Sequence, residues 1–588
     1  MKLKTSFFNK TVLKKDITRF APAWGLYTVF LLMYLFLIWA DENEAGRFAS
    51  HISYIIRMMG IINFAYGGLC AVLLFGDLFS SKLCNALHAM PMRREGWFLT
   101  HSLAGLLFCI VPNCIGTVIM AMILQEYCFL AFIWLGITVC QFVFFFGTGA
   151  FCMQCAGNRL GAAAVYALFN FLSVLAAFLI STFYSPVLYG IEPDLETLFQ
   201  CSPVVGFTTF QFVSLKYNYT YGTTTYEGAV PENWRFLFIC LAIGLILMGA
   251  AVMLYRKRQM ESAGDFISVK PVAPVFLVLY TLCVGAVLYF IADQLNTDAE
   301  YLFLIIGFAI GFFTGWMLLE KKVNVFGLKK FVGFGVLTLA FFFTIALTWL
   351  DPLGITRYVP AADQVEKVVI SPYSSSYYMD THNLQLTDPE DIEKVIGIHT
   401  ELVQNRSIND DGLCLQIRYR LKDGTQRHRQ YYLAAGNPVM PTLRQYFSDF
   451  RFVTQTTSVE RLLEHAEAIE FHSYYEPFPG FSILAPQNDS EVDVEDKYGD
   501  SGWLYFPAET SLDQDPTARG LLIAISEDCE AGTMAQQWEF HGETEAVGSL
   551  SIRYTVGYDT RYLDITVFAD CFNTNAYLRN IAHQAITD

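Results

Sequence analysis

The sequence predicts an α-helical polytopic membrane protein, about nine transmembrane helices followed by an α+β soluble domain. Three observations carry that prediction. Hydrophobic residues make up 54% of the chain and charged residues only 16%, against about 25% charged in a typical soluble domain. Up to residue 350 the chain is dominated by apolar runs of the length that crosses a bilayer as a helix. Beyond it those runs stop and the charge balance changes: residues 351–588 hold 17 Lys and Arg against 37 Asp and Glu, a net of −20, whereas the first 350 residues net +4. This balance argues against nucleic acid as a partner, because binding a phosphate backbone needs clustered cations.

Taken in order, residues 1–20 open with a segment that alternates Lys10, Lys14, Lys15 and Arg19 with Phe7, Phe8, Val12, Leu13, Ile17 and Phe20. That pattern suits an interfacial amphipathic helix on membrane lipids of the inner leaflet. No small-x-small cleavage site follows the first apolar run, so the N-terminus does not read as a cleavable signal peptide. The nine apolar runs lie near 21–40, 58–76, 98–124, 128–156, 161–183, 234–255, 273–292, 299–319 and 331–350.

Lys and Arg in short connectors set orientation. The connectors 77–97, 157–160, 256–272 and 320–330 hold Lys82, Arg93, Arg94, Arg159, Arg256, Lys257, Arg258, Lys270, Lys321, Lys322, Lys329 and Lys330. The intervening ones are acidic or nearly neutral. The N-terminus is therefore expected inside a cytoplasmic membrane, and an odd number of spans puts the domain 351–588 outside. The connector 184–233, broken by Pro186, Pro193, Pro203 and Pro231, is expected to fold back on the membrane's outer face.

Few polar residues interrupt the runs. Asn113, Gln141 and Asn170, with Gln154, either hydrogen-bond one helix to another or line a translocation path. The spans hold no carboxylate or Arg cluster, which argues against coupling to protons or sodium. Cys152 and Cys155 form a CxxC with no second pair, read as packed thiols, and the fourteen cysteines imply no disulfide framework.

In the soluble domain, 363–371 alternates like a strand and 387–404 has the first-turn proline and apolar spacing of a helix. The segments 413–421 and 427–434 flank Lys422-Asp423-Gly424-Thr425, a hairpin signal. Residues 441–450 and 458–471 read as helices, and 520–526 and 551–556 as strands. The acidic run at Asp489, Glu491, Asp493 and Glu495 has period two and suits a solvated strand or loop better than a calcium site. The tyrosine-rich pieces 371–378 and 471–481 read as core or edge strand, with an aromatic binding face as the alternative. No spacing assembles a metal site, a catalytic triad or a phosphate-binding GxxxxGK[ST] loop. The chain is expected to be no enzyme and to bind no cofactor itself.

Residues 76–97, GDLFSSKLCNALHAMPMRREGW, form a polar connector between two long runs, with an amphipathic segment at Leu83, Leu87 and Met90 followed by Arg93, Arg94 and Glu95. This connector, the basic helix that leads into the first span, and the segment YRKRQMESAGDFISVKP at 255–271 together resemble a bacterial, Firmicutes-like type 2 ABC transporter permease. The resemblance covers about residues 1–270. It implies a six-span permease core at 21–255 and a homodimer or heterodimer of permeases. It also implies a separate ATP-binding subunit that holds ATP and Mg, with docking through the connector after the second span. On that reading Leu83, Leu87, His88 and Met90 are the knob, Arg93, Arg94 and Glu95 its charged rim, and Glu261, Gly264 and Asp265 a second cytoplasmic contact. The region 256–350, with its three further spans, and the domain 351–588 exceed the minimal family plan. Aromatic, mostly uncharged spans suggest an amphipathic peptide or lipid-like cargo. A membrane receptor, with a ligand bound by the outer domain and a signal passed through the inner loops, is the rival from another class.

Overall fold

The computed structural model describes residues 8–41, 51–80, 82–83, 93–220, 223–258, 263–296, 299–373, 384–406, 412–434, 436–454, 458–464, 466–474, 480–484, 504–507, 511–536, 540–541, 544–556 and 559–587. The chain divides into two compact units. The first comprises Met1–Phe183 and Asp194–Ala346, the second Tyr184–Pro193 and Leu347–Asp588.

The first unit begins with α1 (Lys10–Arg19), whose N-cap Asn9 accepts backbone hydrogen bonds from Thr11 and Val12. Then follow α2 (Ala21–Asp41), α3 (Ile52–Phe75), α4 (Arg94–Leu124) and α5 (Phe129–Cys155). Next come a bent pair, α6 (Arg159–Asn170) and α7 (Leu172–Leu179), and two short helices, α8 (Leu195–Gln200) and α9 (Pro203–Thr209). A hairpin of β1 (Val213–Thr220) and β2 (Thr223–Pro231) precedes α10 (Trp234–Lys257), α11 (Val272–Gln294), α12 (Glu300–Glu320) and α13 (Leu328–Leu350). Among the described residues, eight helices are long and apolar enough to cross a membrane. The expected fifth span is not one straight helix: the chain bends by 57° between 159–170 and 172–187, so it makes a ninth span only if the bent pair is counted as one.

These helices pack through small residues that let backbones approach. A Cβ on Gly147 of α5 would lie 2.4 Å from the Gly244 carbonyl oxygen of α10, and one on Gly307 of α12 would lie 2.7 Å from Gly285 Cα of α11. Aromatic side chains fill the remaining space around α5, where Phe142, Phe144, Phe145 and Phe146 are all buried.

The second unit holds two sheets. The first has the order β4-β3-β5-β6, with β3 (Val365–Tyr373), β4 (Gln385–Leu386), β5 (Leu413–Leu421) and β6 (Gln426–Leu433), antiparallel throughout. Helix α14 (Pro389–Gln404) lays Ile392, Val395, Ile398 and Leu402 into a core shared with Val368, Ile370, Leu415 and Ile417. After α15 (Met440–Phe447), α16 (Phe450–Thr454) and α17 (Val459–Glu464) come β7 (Ala466–Ser473), β8 (Phe481–Leu484) and β9 (Leu504–Pro507). Then α18 (Pro516–Glu530), β10 (Ala546–Val556), β11 (Asp559–Phe568) and α19 (Phe572–Thr587) complete the chain. The second sheet runs β11-β10-β7-β8-β9, with β8 and β9 its parallel pair.

The strand and hairpin expected at 363–371 and 413–434 are present as β3, β5 and β6. In this unit two expected elements are corrected. Residues 458–471 are not one helix, because the chain turns from α17 into β7, whose Ala468, Ile469 and Phe471 are buried in the middle of the second sheet. Residues 520–526 are not a strand but part of α18. Asp515 caps it through the Thr517 and Ala518 amides, Pro516 opens it, and Ala518, Leu521, Leu522, Ile525 and Cys529 repeat at helical spacing along its buried face.

The connector 184–233 is not one folded-back loop. Residues 184–193 belong to the second unit, where Tyr189 joins the core of the first sheet, and the remainder stays with the long helices. The acidic run at 489–495, and residues 374–378 and 475–479 of the tyrosine-rich pieces, lie outside the described residues.

Candidate functional site

Several side chains that the sequence placed in connectors meet at one end of the first unit, around the last turn of α5. An α-helix ends with four carbonyls that have no partner within it. Arg258, just past α10, donates from Nη1 to Met153 O at 2.7 Å and from Nη2 to Ala156 O at 2.9 Å. Ser268 supplies the other two partners, Oγ to Gln154 O at 2.9 Å and its amide to Cys155 O at 2.8 Å. A guanidinium at a helix C-terminus also meets the negative end of the helix dipole. The chain around 264–268 is drawn against α5 further by the Gly264 amide on Gly157 O at 2.7 Å and a backbone bridge between Ala156 and Ile267.

The first turn of α4 joins the same assembly. Arg94 Nη1 donates to Arg256 O at 3.2 Å and Arg258 O at 3.1 Å, so a cation at a helix start is held by the carbonyls at the end of α10. Glu95 lies 2.7 Å from Arg256 Nε. Each partner stands at the favourable end of its own helix, the acid at an N-terminus and the cation at a C-terminus. Asp265 pairs with Lys321 at 2.7 Å, which links this layer to the chain following α12. Helix α1 is attached twice: Arg19 to Asp77 at 3.2 Å, and Asp16 to His101 Nδ1 at 2.7 Å with both side chains almost fully buried.

The predicted residues therefore divide. Arg94, Glu95, Gly264 and Asp265 belong to this layer. Arg93 precedes α4 in extended conformation, and Leu83 is 47% exposed. Leu87, His88, Met90 and Glu261 lie outside the described residues.

Asn113, Gln141 and Asn170 are fully buried and do not face one another. Asn113 Nδ2 donates to Tyr27 Oη at 3.1 Å and Cys109 O at 2.8 Å, tying α4 to α2. Gln141 accepts from Asn63 Nδ2 at 3.0 Å and donates to Ile56 O at 3.3 Å, tying α5 to α3. Asn170 Nδ2 turns back to Tyr166 O at 2.9 Å, while its carbonyl accepts from Ser202 Oγ at 2.7 Å at the bend after α6.

Sequence reasoning missed Asp16, Asn63, His101 and Ser268. Asp16 had a signal, the one acid in a cationic helix, and so did Asn63 and His101, polar residues inside apolar runs. Ser268 had none. Among the described residues, no group of three or more His, Cys, Asp or Glu side chains comes together to hold a metal ion. This layer joins the ends of α4, α5 and α10 and the chain after α12 through charge-assisted contacts, an arrangement suited to a mechanical rather than a covalent part. Comparison with protein-family profiles, with curated proteins and with solved structures finds no match to the chain.

Proposed function

We propose that the chain is the membrane subunit of a type 2 ABC permease, a dimer of such subunits moving a substrate through a cytoplasmic membrane with ATP hydrolysed by a separate chain. The observation that carries the reading is how the chain is held where the amphipathic connector ends. Its distal end enters α4, and the first turn of α4 is fixed by Arg94 and Glu95 to the end of α10, which Arg258 fixes in turn to the end of α5. A displacement applied at the first turn of α4 would thus reach three long helices at once, as coupling to a nucleotide-driven partner demands. Buried amides that hold helices together rather than face a common cavity suit a pathway formed between two copies, and an amphipathic peptide or lipid-like cargo remains the substrate class we propose.

Purification of the tagged chain in mild detergent, with identification of its companions, tests this. A stoichiometric ATP-binding protein supports the permease. Its absence with the connector intact overturns it in favour of a receptor, in which the domain 351–588 binds an external ligand. One observation favours that second reading: residues 184–193 leave the long-helix unit to pack in the C-terminal one, a covalent route by which ligand binding there reaches α7 and α8.

A further inference from the structure

The chain does not leave α13 through a loose linker. Asp351, at φ +44°, ends that helix with its amide on Leu347 O at 3.2 Å, and its own carbonyl accepts from the Gly354 amide at 3.1 Å. The side chain then turns inward. Its Oδ1 accepts from the Ile355 amide at 2.8 Å, and its Oδ2 from the Thr356 amide at 2.9 Å and the Thr356 hydroxyl at 2.7 Å. Arg429 of β6 reaches the same turn, Nη2 donating to Ile355 O at 2.8 Å and to Tyr358 O at 3.1 Å, so residues 351–358 are fixed to the first sheet. While these polar groups engage one another, apolar side chains face outward. Leu353 is 82% exposed, and Trp349, Leu350, Ile355 and Tyr358 are exposed with it. The one acid of the turn is buried, and its one exposed charge is Arg357.

We propose that this turn seats in the headgroup and upper acyl region of the bilayer that α13 crosses, and so holds the C-terminal domain on the lipid surface. Three observations assign the exposed face to lipid rather than to a protein. It continues without a break from a helix long and apolar enough to be a span, since Trp349 and Leu350, the last residues of α13, are themselves exposed. The backbone amides of Asp351, Gly354, Ile355 and Thr356 and the carbonyls of Ile355 and Tyr358 all have partners within the chain, the condition for backbone to leave water without loss. The face is bounded by a Trp and a Tyr, the residue types that collect at membrane–water interfaces, and Arg357 has the apolar stem and charged head that bridge acyl chains and phosphates. The inference rests on α13 being a span. It is independent of whether the chain is a permease or a receptor.

The test is photo-cross-linking of the full chain in nanodiscs of phosphatidylcholine and phosphatidylglycerol, with p-benzoylphenylalanine placed in separate variants at positions 339, 353, 355 and 358. Leu339, 71% exposed near the middle of α13, reports on the span itself. Lipid adducts at 353, 355 and 358 in yields within about twofold of one another support the seat, because a free linker strays further from the surface as it lengthens. A fall of about fivefold or more from 353 to 358 marks such a linker and overturns the proposal. Cross-links from these positions to a second copy or to another protein also overturn it, and assign the face to that partner. With position 339 labelled by lipid and the other three unlabelled, the span stands and the seat fails. No lipid adduct at 339 removes the premise and overturns the proposal with it.

Discussion

His399 Nε2 lies 2.7 Å from the Tyr431 hydroxyl while its Nδ1 lies 3.0 Å from that of Tyr419, so one buried imidazole holds α14 to both β5 and β6. A neutral ring donates from one nitrogen and accepts at the other, which satisfies both contacts; a protonated ring would have to donate at both. Burial, and secondarily Arg429, push the His399 pKa from 6.5 down to about 4. The unfolded chain therefore takes up a proton between those values that the folded domain refuses. Stability is expected to be level above pH 6.5, to fall as pH drops through 6.5 towards 4, and to flatten below, with a total loss on the order of 3 kcal/mol. Hydrogen exchange of β5 and β6 amides in the full chain across this range measures it. In His399→Gln, which keeps a donor and an acceptor but does not titrate, this component of the slope should vanish.

Tyr189 is the anchor of the segment 184–193. Its hydroxyl donates to Leu402 O at 3.0 Å, its ring lies 5.1 Å from that of Tyr431, and Gly190 O accepts from the Gln430 amide at 3.2 Å. Since β6 ends the first sheet, this segment covers an edge that would otherwise present open backbone groups. Tyr189→Ala is expected to cost the second unit about 3 kcal/mol and to raise exchange at the amides of β6 more than at those of β10. Equal effects on both strands would show that the loss is not local to the edge.

The difference between what the chain announces and what it conceals follows from the range of each signal. Long apolar runs and the Lys422–Thr425 turn are local, and the helices and the β5–β6 hairpin were legible from them. The sequence GLLIAIS is a short apolar run that fits a buried strand as well as a helix, and only Asp515 and Pro516 upstream decide for α18. The strand β7 lay hidden in AEAIEF because its helix formers, Ala466, Glu467, Ala468 and Glu470, are overridden by pairing with both β8 and β10. At the candidate site, Arg94 and Glu95 were visible as charges beside a span, but their partners are 161–164 residues away. Nothing local in the chain shows that Arg258 and Ser268 close the end of α5.

Gly147 and Gly244 set the spacing of α5 and α10. Any side chain at either position meets backbone of the other helix, at 2.4 Å in one direction and 2.6 Å in the other. Gly147→Val is expected to separate the two helices and lower the melting temperature of the detergent-solubilised chain, whereas Gly249→Val, on the same helix as Gly244 but with open space at its Cβ, should be tolerated. Overpacking by a few methyl groups typically costs about 1–3 kcal/mol. Thermal unfolding of the two variants side by side separates close approach from a general intolerance of glycine substitution.

The contact between Glu95 and Arg256 offers the sharpest separation of stability from function. Arg256 is 61% exposed on its side chain, so the pair contributes at most about 1 kcal/mol to folding. If the proposed coupling holds, its position between the first turn of α4 and the last turn of α10 gives it a larger part in transmission. On the proposed permease reading, Glu95→Arg and Arg256→Glu should each leave the melting temperature nearly unchanged yet reduce the ATPase rate of the chain reconstituted with the ATP-binding protein which that reading requires. The exchange of both, Glu95→Arg with Arg256→Glu, restores the attraction but places each charge at the unfavourable end of its helix. Recovery should accordingly be partial, and the shortfall measures the dipole contribution. Two singles as active as the unaltered chain would show that α4 and α10 are coupled by another route, such as the donation of Arg94 to the carbonyls of Arg256 and Arg258.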